Sequence, residues 1–223
     1  MSTTSSRTRL GALALAVAGV LFLLYPALRP WNDETTAAGA LASMGSGAWV
    51  AAHLFAMIGF ILVPLGLLAL VPLVRGTRGE SLALPAVLVT WIGAGLTLPY
   101  YGAEDFALHA IAGQAAGGGF DLPAMADAVR FGPVAATTFA LGLLSLGGGA
   151  VLAAIAVTRS GVLARGSAVL FAVGFALFIP QFFGPPALRV VHGVILAAGL
   201  IQLAVAMSRV QKRNRTPEPV PAP

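Results

Sequence analysis

The chain has 223 residues, of which 58% are apolar and 9% are charged, with a net charge of +5 and a mean hydropathy of +0.90. A water-soluble domain of this length cannot bury so much apolar surface, so the composition excludes an ordinary soluble fold and indicates a membrane protein. The absence of cysteine excludes disulfides and thiolate metal sites, and the basic residues flank apolar runs, which argues against a nucleic-acid partner.

Six uncharged runs of about 20 residues are long enough to cross a hydrocarbon core about 30 Å thick as helices. They lack the alternating polarity of barrel strands, so we predict an all-α polytopic membrane protein built as a bundle of six transmembrane helices. The first run follows Arg7 and Arg9, and its length predicts a retained helix and not a signal peptide. The predicted spans cover approximately residues 10–28, 48–74, 82–101 or beyond, 133–157, 167–183 and 187–207.

Two segments between the spans carry helix start signals and predict short interfacial helices on the outer side. In the first, Asn32 or Asp33 is the predicted N-cap. In the second, Asp121 is the predicted N-cap and Pro123 suits the first helical turn.

Small residues and prolines punctuate the spans. Glycines such as Gly93 allow close approach of two helix backbones, which is the usual basis of helix association in membranes. Pro64, Pro72, Pro99 and Pro180 are predicted to kink or end their helices because proline has no N–H to donate.

The distribution of basic residues predicts the orientation. With the N-terminus inside, ten of the 13 Lys and Arg residues lie on the cytoplasmic side, and only Arg29, Arg130 and Arg189 lie outside. Both termini are therefore predicted to be cytoplasmic, with a stub at 1–9, a membrane domain at 10–208 and a disordered, basic, proline-rich tail at 209–223. The high Ala, Gly and Arg content with a single Lys is typical of a GC-rich bacterial genome, so we expect a bacterial plasma membrane.

Ionisable residues near the outer ends of the spans form the candidate site. His53, Asp105, His109 and His192 fall at similar depth, and a set of imidazole and carboxylate ligands can bind a metal ion without thiolate. If the helix continues past Pro99, Asp105 and His109 share one of its faces. Alternatively, His53 and His192 are the axial ligands of a haem.

A wider polar cluster surrounds these residues. It consists of Tyr101, Glu104, Gln181 and Arg189, with Arg189 as a counter-ion to Glu104 or Asp105. The alternative is that each of these side chains only contacts water or headgroups where its helix leaves the membrane.

Three classes of function follow from these patterns. We expect first an accessory, structural or sensing role, without enzymatic activity, because no extended catalytic motif is present. The alternatives are a metal- or haem-binding redox protein or enzyme that uses the outer cluster, and a small transporter. The expected partners are the lipid bilayer and a second copy of the chain or another membrane protein.

Overall fold

The computed structural model describes residues 3–115, 117–119 and 121–213, and their secondary structure is entirely helical, as predicted, without a strand. These residues form five long helices of 22 to 28 residues and five short ones of 4 to 10 residues, and one or two short helices lie between successive long ones. They are α1 (Thr3–Leu28), α2 (Ala37–Met44), α3 (Gly47–Leu68), α4 (Leu70–Leu73), α5 (Glu80–Gly102), α6 (Leu108–Ala115), α7 (Leu122–Phe131), α8 (Pro133–Ser160), α9 (Val169–Ala176) and α10 (Pro186–Arg213), with a π turn at Ala103–Ala107 and a 3-10 turn at Pro180–Phe183.

Five helical stretches are long and apolar enough to cross a membrane, which indicates a membrane-embedded protein. Each coincides with a predicted span, and the third extends well past residue 101 because the π turn joins α5 to α6 without a break. The stretches are Ser6–Leu28, Gly47–Leu73, Glu80–Ala115, Pro133–Ser160 and Pro186–Arg213.

The remaining predicted span, at 167–183, is a broken helix. It contains α9, which has eight residues and is about 12 Å long, then a turn at 177–179 and the 3-10 turn. Pro180 has no N–H for an α-helical hydrogen bond at this point. A helix of about 12 Å covers less than half of a 30 Å hydrocarbon core. The described residues therefore contain five helices that could span a membrane, and not the six continuous ones of the prediction.

The long helices and α9 form a closed ring in which each packs against the next, in the order α1, α3, α5, α8, α9, α10 and back to α1. Aromatic rings fill its centre. Phe22 of α1 meets Phe60, Phe175 and Phe178 edge-on, with ring centroids 4.9 to 6.1 Å apart. Such pairs add about 0.5–1.5 kcal/mol each beyond the burial of their area. The broken segment thus supplies part of the core.

Glycines set the spacing of neighbouring helices, as predicted. A Cβ on Gly93 of α5 would lie 2.6 Å from the backbone nitrogen of Leu146 in α8, and one on Gly149 of α8 would lie 2.8 Å from the nitrogen of Thr90. No side chain fits at such distances, so the two backbones are in direct contact. This interface is the most extensive in the ring.

Three short helices, α2, α6 and α7, form a second layer over one end of the ring, which we call the cavity end. They pack around a small core of their own, in which Met44, Trp49, Leu108 and Leu122 are buried. This layer places the residues before α2 and the end of α7 beside the π turn.

The two short helices predicted between the spans are both present, as α2 and α7. The Asp121 carboxylate accepts a hydrogen bond from the N–H of Ala124, so the predicted cap of α7 is confirmed. The predicted cap of α2 is wrong, because Thr36 and not Asn32 or Asp33 accepts the capping bond. Asp33 instead closes a turn with Thr35.

Helical structure extends into both predicted terminal segments. α1 begins at Thr3, within the predicted stub at 1–9. α10 continues to Arg213, so residues 209–213 of the predicted tail are helical. The remainder of that tail, 214–223, lies outside the described residues.

Candidate functional site

A cavity of about 510 Å³ lies at the cavity end of the ring, within the range of about 300–1,000 Å³ that is usual for small-molecule sites. Arg29, Arg130 and Arg189 all line it. These are the three basic residues that the charge pattern assigned to the outer side. Two acids, Glu34 and Glu104, line it as well.

The two acids and two of the arginines form a chain of ion pairs. Arg130 donates from Nε to Glu104 Oε1 at 2.6 Å and from Nη2 to Glu104 Oε2 at 2.9 Å, a bidentate pair. Glu34 bridges Arg130 at 2.9 Å and Arg29 at 2.7 Å. Burial alone would lower the pKa of Arg130, but attraction to Glu104 and then Glu34 outweighs it and raises that pKa above its ordinary value.

Two tryptophan rings pack against the arginines of this network. The Arg29 guanidinium carbon lies 4.4 Å from the ring centre of Trp31 and 4.5 Å from that of Trp49. Trp49 is fully buried, and its indole N–H donates to the backbone oxygen of Glu104 at 2.8 Å. The rings fix the positions of the charged groups and exclude water from one side of them.

Arg189 lies in the first turn of α10, and it is the one cavity arginine that pairs with no acid among the residues that the structure describes. Its Nη2 donates to the backbone oxygen of Phe182 at 2.9 Å, and its buried Nε has no hydrogen-bond partner among the described residues. The guanidinium carbon lies 5.1 Å from the ring centre of Trp31. Because three arginines face two glutamates, the charged lining carries a net charge of +1 with neutral histidine.

Aromatic side chains line the same cavity. Tyr100 and Phe139 stack with ring centroids 3.9 Å apart, and Phe139 also meets Phe182 of the 3-10 turn at 5.8 Å. Phe131 and Phe183 line the cavity as well. The lining therefore combines charged groups, with an excess of positive charge, and aromatic rings.

The four candidate metal ligands do not form one cluster. His53 lines the cavity, where its Nδ1 lies 2.8 Å from the backbone oxygen of Trp49. His109 Nδ1 lies 2.7 Å from the oxygen of Met44, and Asp105 is fully buried. Neither Asp105 nor His109 lines the cavity. Across the residues that the structure describes, no group of three or more His, Asp or Glu side chains is arranged to hold a metal ion.

The two histidines of the haem hypothesis border different spaces. His192 Nε2 lies 2.7 Å from the backbone oxygen of Gly174, and the residue lines a separate cavity of only about 10 Å³. Because His53 and His192 do not face a common space, the geometry gives no support to an axial pair.

Most residues of the wider polar cluster line one cavity. Tyr101, Glu104 and Arg189 line the same cavity, and Gln181 lines the small adjoining one together with Arg189. Arg189 was expected to pair with Glu104 or Asp105, but Glu104 pairs with Arg130, and neither carboxylate oxygen of Asp105 has a hydrogen-bond partner among the described residues.

The sequence reasoning missed Arg29, Glu34 and Arg130 as site residues. A signal was present: the predicted orientation leaves three basic residues on the outer side, and all three line one cavity. Arg130 follows Glu104 by 26 residues, so only the return of α7 over the π turn reveals their contact.

No protein family model, curated protein or solved structure matches this chain. The chemistry of the cavity is therefore inferred from its own residues. They offer guanidinium donors for an anion and aromatic rings for an apolar body. The arginines stay charged, and an amphipathic anion satisfies both kinds of group at once.

We expect Asp105→Asn to raise the free energy of unfolding by about 1 kcal/mol or more. Asp105 is fully buried in the π turn, and neither of its carboxylate oxygens has a hydrogen-bond partner among the described residues. An unpaired buried charge is costly, and asparagine removes the charge at nearly constant volume. Denaturant unfolding in detergent measures the change, with the exposed Asp127→Asn as the control. Destabilisation by Asp105→Asn would show that the carboxylate is stabilised where it lies.

Proposed function

We propose that this chain is a multi-pass membrane protein with an accessory or sensing role, which binds a small anionic molecule with an apolar body in the cavity. One observation carries the proposal: all three arginines of the cavity end line this single space, and within the described part of the chain Arg189 pairs with no acid. A structural role alone explains the paired arginines but not the third.

The electrostatics support an anionic ligand. Arg29 and Arg130 are neutralised by Glu34 and Glu104, so the unbalanced charge resides on Arg189. Arg189 also lies in the first turn of α10, where the helix dipole adds positive potential and no acidic side chain offsets it. In a partly buried site these effects are screened less than in water.

The irregular backbone supports membrane embedding of the site. Non-helical backbone at membrane depth is tolerated where it is buried in protein or lines a cavity. The 3-10 turn after α9 supplies Phe182 and Phe183 to the cavity wall. We propose that the segment 167–183 enters the membrane as the sixth element and ends at this cavity, with both termini cytoplasmic in a bacterial cell membrane.

The proposed orientation is tested by labelling single cysteines, since the chain has none of its own. Ala38→Cys and Ala128→Cys, both exposed at the cavity end, should react with an impermeant maleimide added to intact cells. Ser81→Cys and Ala164→Cys, exposed at the opposite end, should react only after permeabilisation. The reverse pattern would overturn the orientation.

Filling the cavity tests the proposed function. Ala136 lines the cavity from α8, so Ala136→Trp should abolish the retention of any small molecule that co-purifies with the wild type in mild detergent. Val134→Trp is the control, because Val134 is 79% exposed on the same helix and does not line the cavity. Native mass spectrometry gives the bound mass. Equal retention by wild type and Ala136→Trp would reject the cavity as the binding site.

A further inference from the structure

The mouth of the cavity is unusually apolar. Phe183 and Phe131 are 88% and 70% exposed, the first and third highest values among the large hydrophobic side chains that the structure describes. Both residues line the cavity. Single exposed apolar residues are ordinary, but a cluster of them at a binding cavity marks a surface that contacts lipid or a ligand.

Polarity changes sharply from the mouth to the interior. At the mouth, Phe131 comes from the end of α7 and Phe183 from the 3-10 turn. Arg189 is less exposed than these two residues, contacts Trp31 and Phe182, and has a buried Nε without a hydrogen-bond partner among the described residues. The aromatic side chains of the mouth are therefore the exposed part of the lining, and the Arg189 guanidinium is a less exposed part.

We infer that the ligand is an anionic phospholipid from the leaflet at the cavity end, bound with its headgroup phosphate at Arg189 and its acyl chains leaving between Phe131 and Phe183. This inference rests on the proposed function and names the ligand class for the same cavity.

The size and charge of the cavity fit this ligand. An acyl chain that reaches the bilayer midplane is about 15 Å long. Two such chains together with a headgroup do not fit in a cavity of about 510 Å³. The headgroup therefore fills the cavity while the chains stay in lipid, next to the exposed aromatic side chains. The planar fork of arginine suits phosphate oxygens, and the net charge of +1 favours an anionic lipid over a zwitterionic one.

The tryptophans provide a local reporter for the test. Trp31 and Trp49 contact the cavity arginines, whereas Trp91 is 49% exposed on α5 and does not line the cavity. In Trp91→Phe protein in phosphatidylcholine nanodiscs, the fluorescence that remains comes from the site. The probes are phosphatidylglycerol and phosphatidylcholine, each brominated near the carboxyl end of its acyl chains and compared at equal mole fraction.

We expect brominated phosphatidylglycerol to quench this fluorescence with about tenfold higher apparent affinity than brominated phosphatidylcholine, the change expected for a charge-assisted contact. Arg189→Gln should abolish the preference. Arg189→Lys keeps the charge without the planar fork and should retain part of it. Arg209→Gln, at the opposite end, should leave the preference unchanged. Unfolding midpoints of all four proteins establish that the variants are folded.

Soluble glycerol phosphate tests whether the bound phosphate belongs to a lipid headgroup or to a soluble molecule. If it raises the unfolding midpoint in an Arg189-dependent way while the two brominated lipids quench equally, the ligand is a soluble phosphate. That result overturns the lipid inference and leaves the proposed function standing. Equal quenching with no response to glycerol phosphate also overturns the lipid inference, and the comparison of Ala136→Trp with Val134→Trp then decides the proposed function separately.

Discussion

Glu104→Gln is expected to lower the free energy of unfolding by about 2–4 kcal/mol. Glu104 accepts both bonds of the bidentate pair with Arg130, and the two side chains are only 11% and 15% exposed. Removing one partner of a buried pair leaves the other charge uncompensated, which typically costs about 3–5 kcal/mol, and the small exposure reduces that figure. Glu34 remains bonded to Arg130 and limits the loss further.

The measurement is denaturant unfolding in detergent, followed by tryptophan fluorescence. Glu80→Gln is the matched control, because Glu80 is an exposed glutamate at the start of α5, the helix that leads into the π turn of Glu104. It should change the free energy of unfolding by less than about 1 kcal/mol. Adding Arg130→Met to Glu104→Gln should recover part of the stability, since no unpaired charge then remains. A Glu104→Gln variant no less stable than Glu80→Gln would show that the ion pair contributes nothing.

Hydropathy was sufficient to locate the five helices that could span a membrane. The predicted runs 48–74 and 133–157 match Gly47–Leu73 and Pro133–Ser160 closely, because in lipid every backbone amide of an apolar run must be bonded within its own helix. The same reasoning failed at 167–183, which is as apolar as the others. Average hydropathy does not report whether a backbone is continuous, and Pro180 with the prolines at 185 and 186 prevents a single helix here.

The candidate site was partly predictable. The end of the helix ring at which the site lies was predictable. His53 and Arg189 lie near the starts of their helices, and Tyr101 and Glu104 lie near the end of a helix that runs the other way. Their convergence was not, since it depends on the order of helices in the ring. Whether a residue reaches the cavity also depends on the helix face from which its side chain projects. Glu104 lines the cavity, while its neighbour Asp105 in the same π turn does not.

Gly199→Ala is expected to lower the free energy of unfolding by about 3 kcal/mol. A Cβ at this position of α10 would lie 2.3 Å from the backbone nitrogen of Phe171 and 2.5 Å from the carbonyl carbon of Leu170, both in α9. These are backbone atoms, so no side-chain rotation relieves the clash and α9 must move. Gly95→Ala is the control, since a Cβ there meets nothing within 4 Å, and alanine should stabilise α5 by up to about 1 kcal/mol.

The same substitution connects the fold to the cavity. α9 leads directly into the 3-10 turn, and the backbone oxygen of Phe182 in that turn holds the Arg189 guanidinium at 2.9 Å. Displacement of α9 should therefore move the group that orients Arg189, and Gly199→Ala should weaken the phosphatidylglycerol preference as well as the fold. Gly95→Ala should leave that preference intact. If Gly199→Ala destabilises the protein yet keeps the full preference, the position of Arg189 is set by α10 and Trp31 and not by the broken helix.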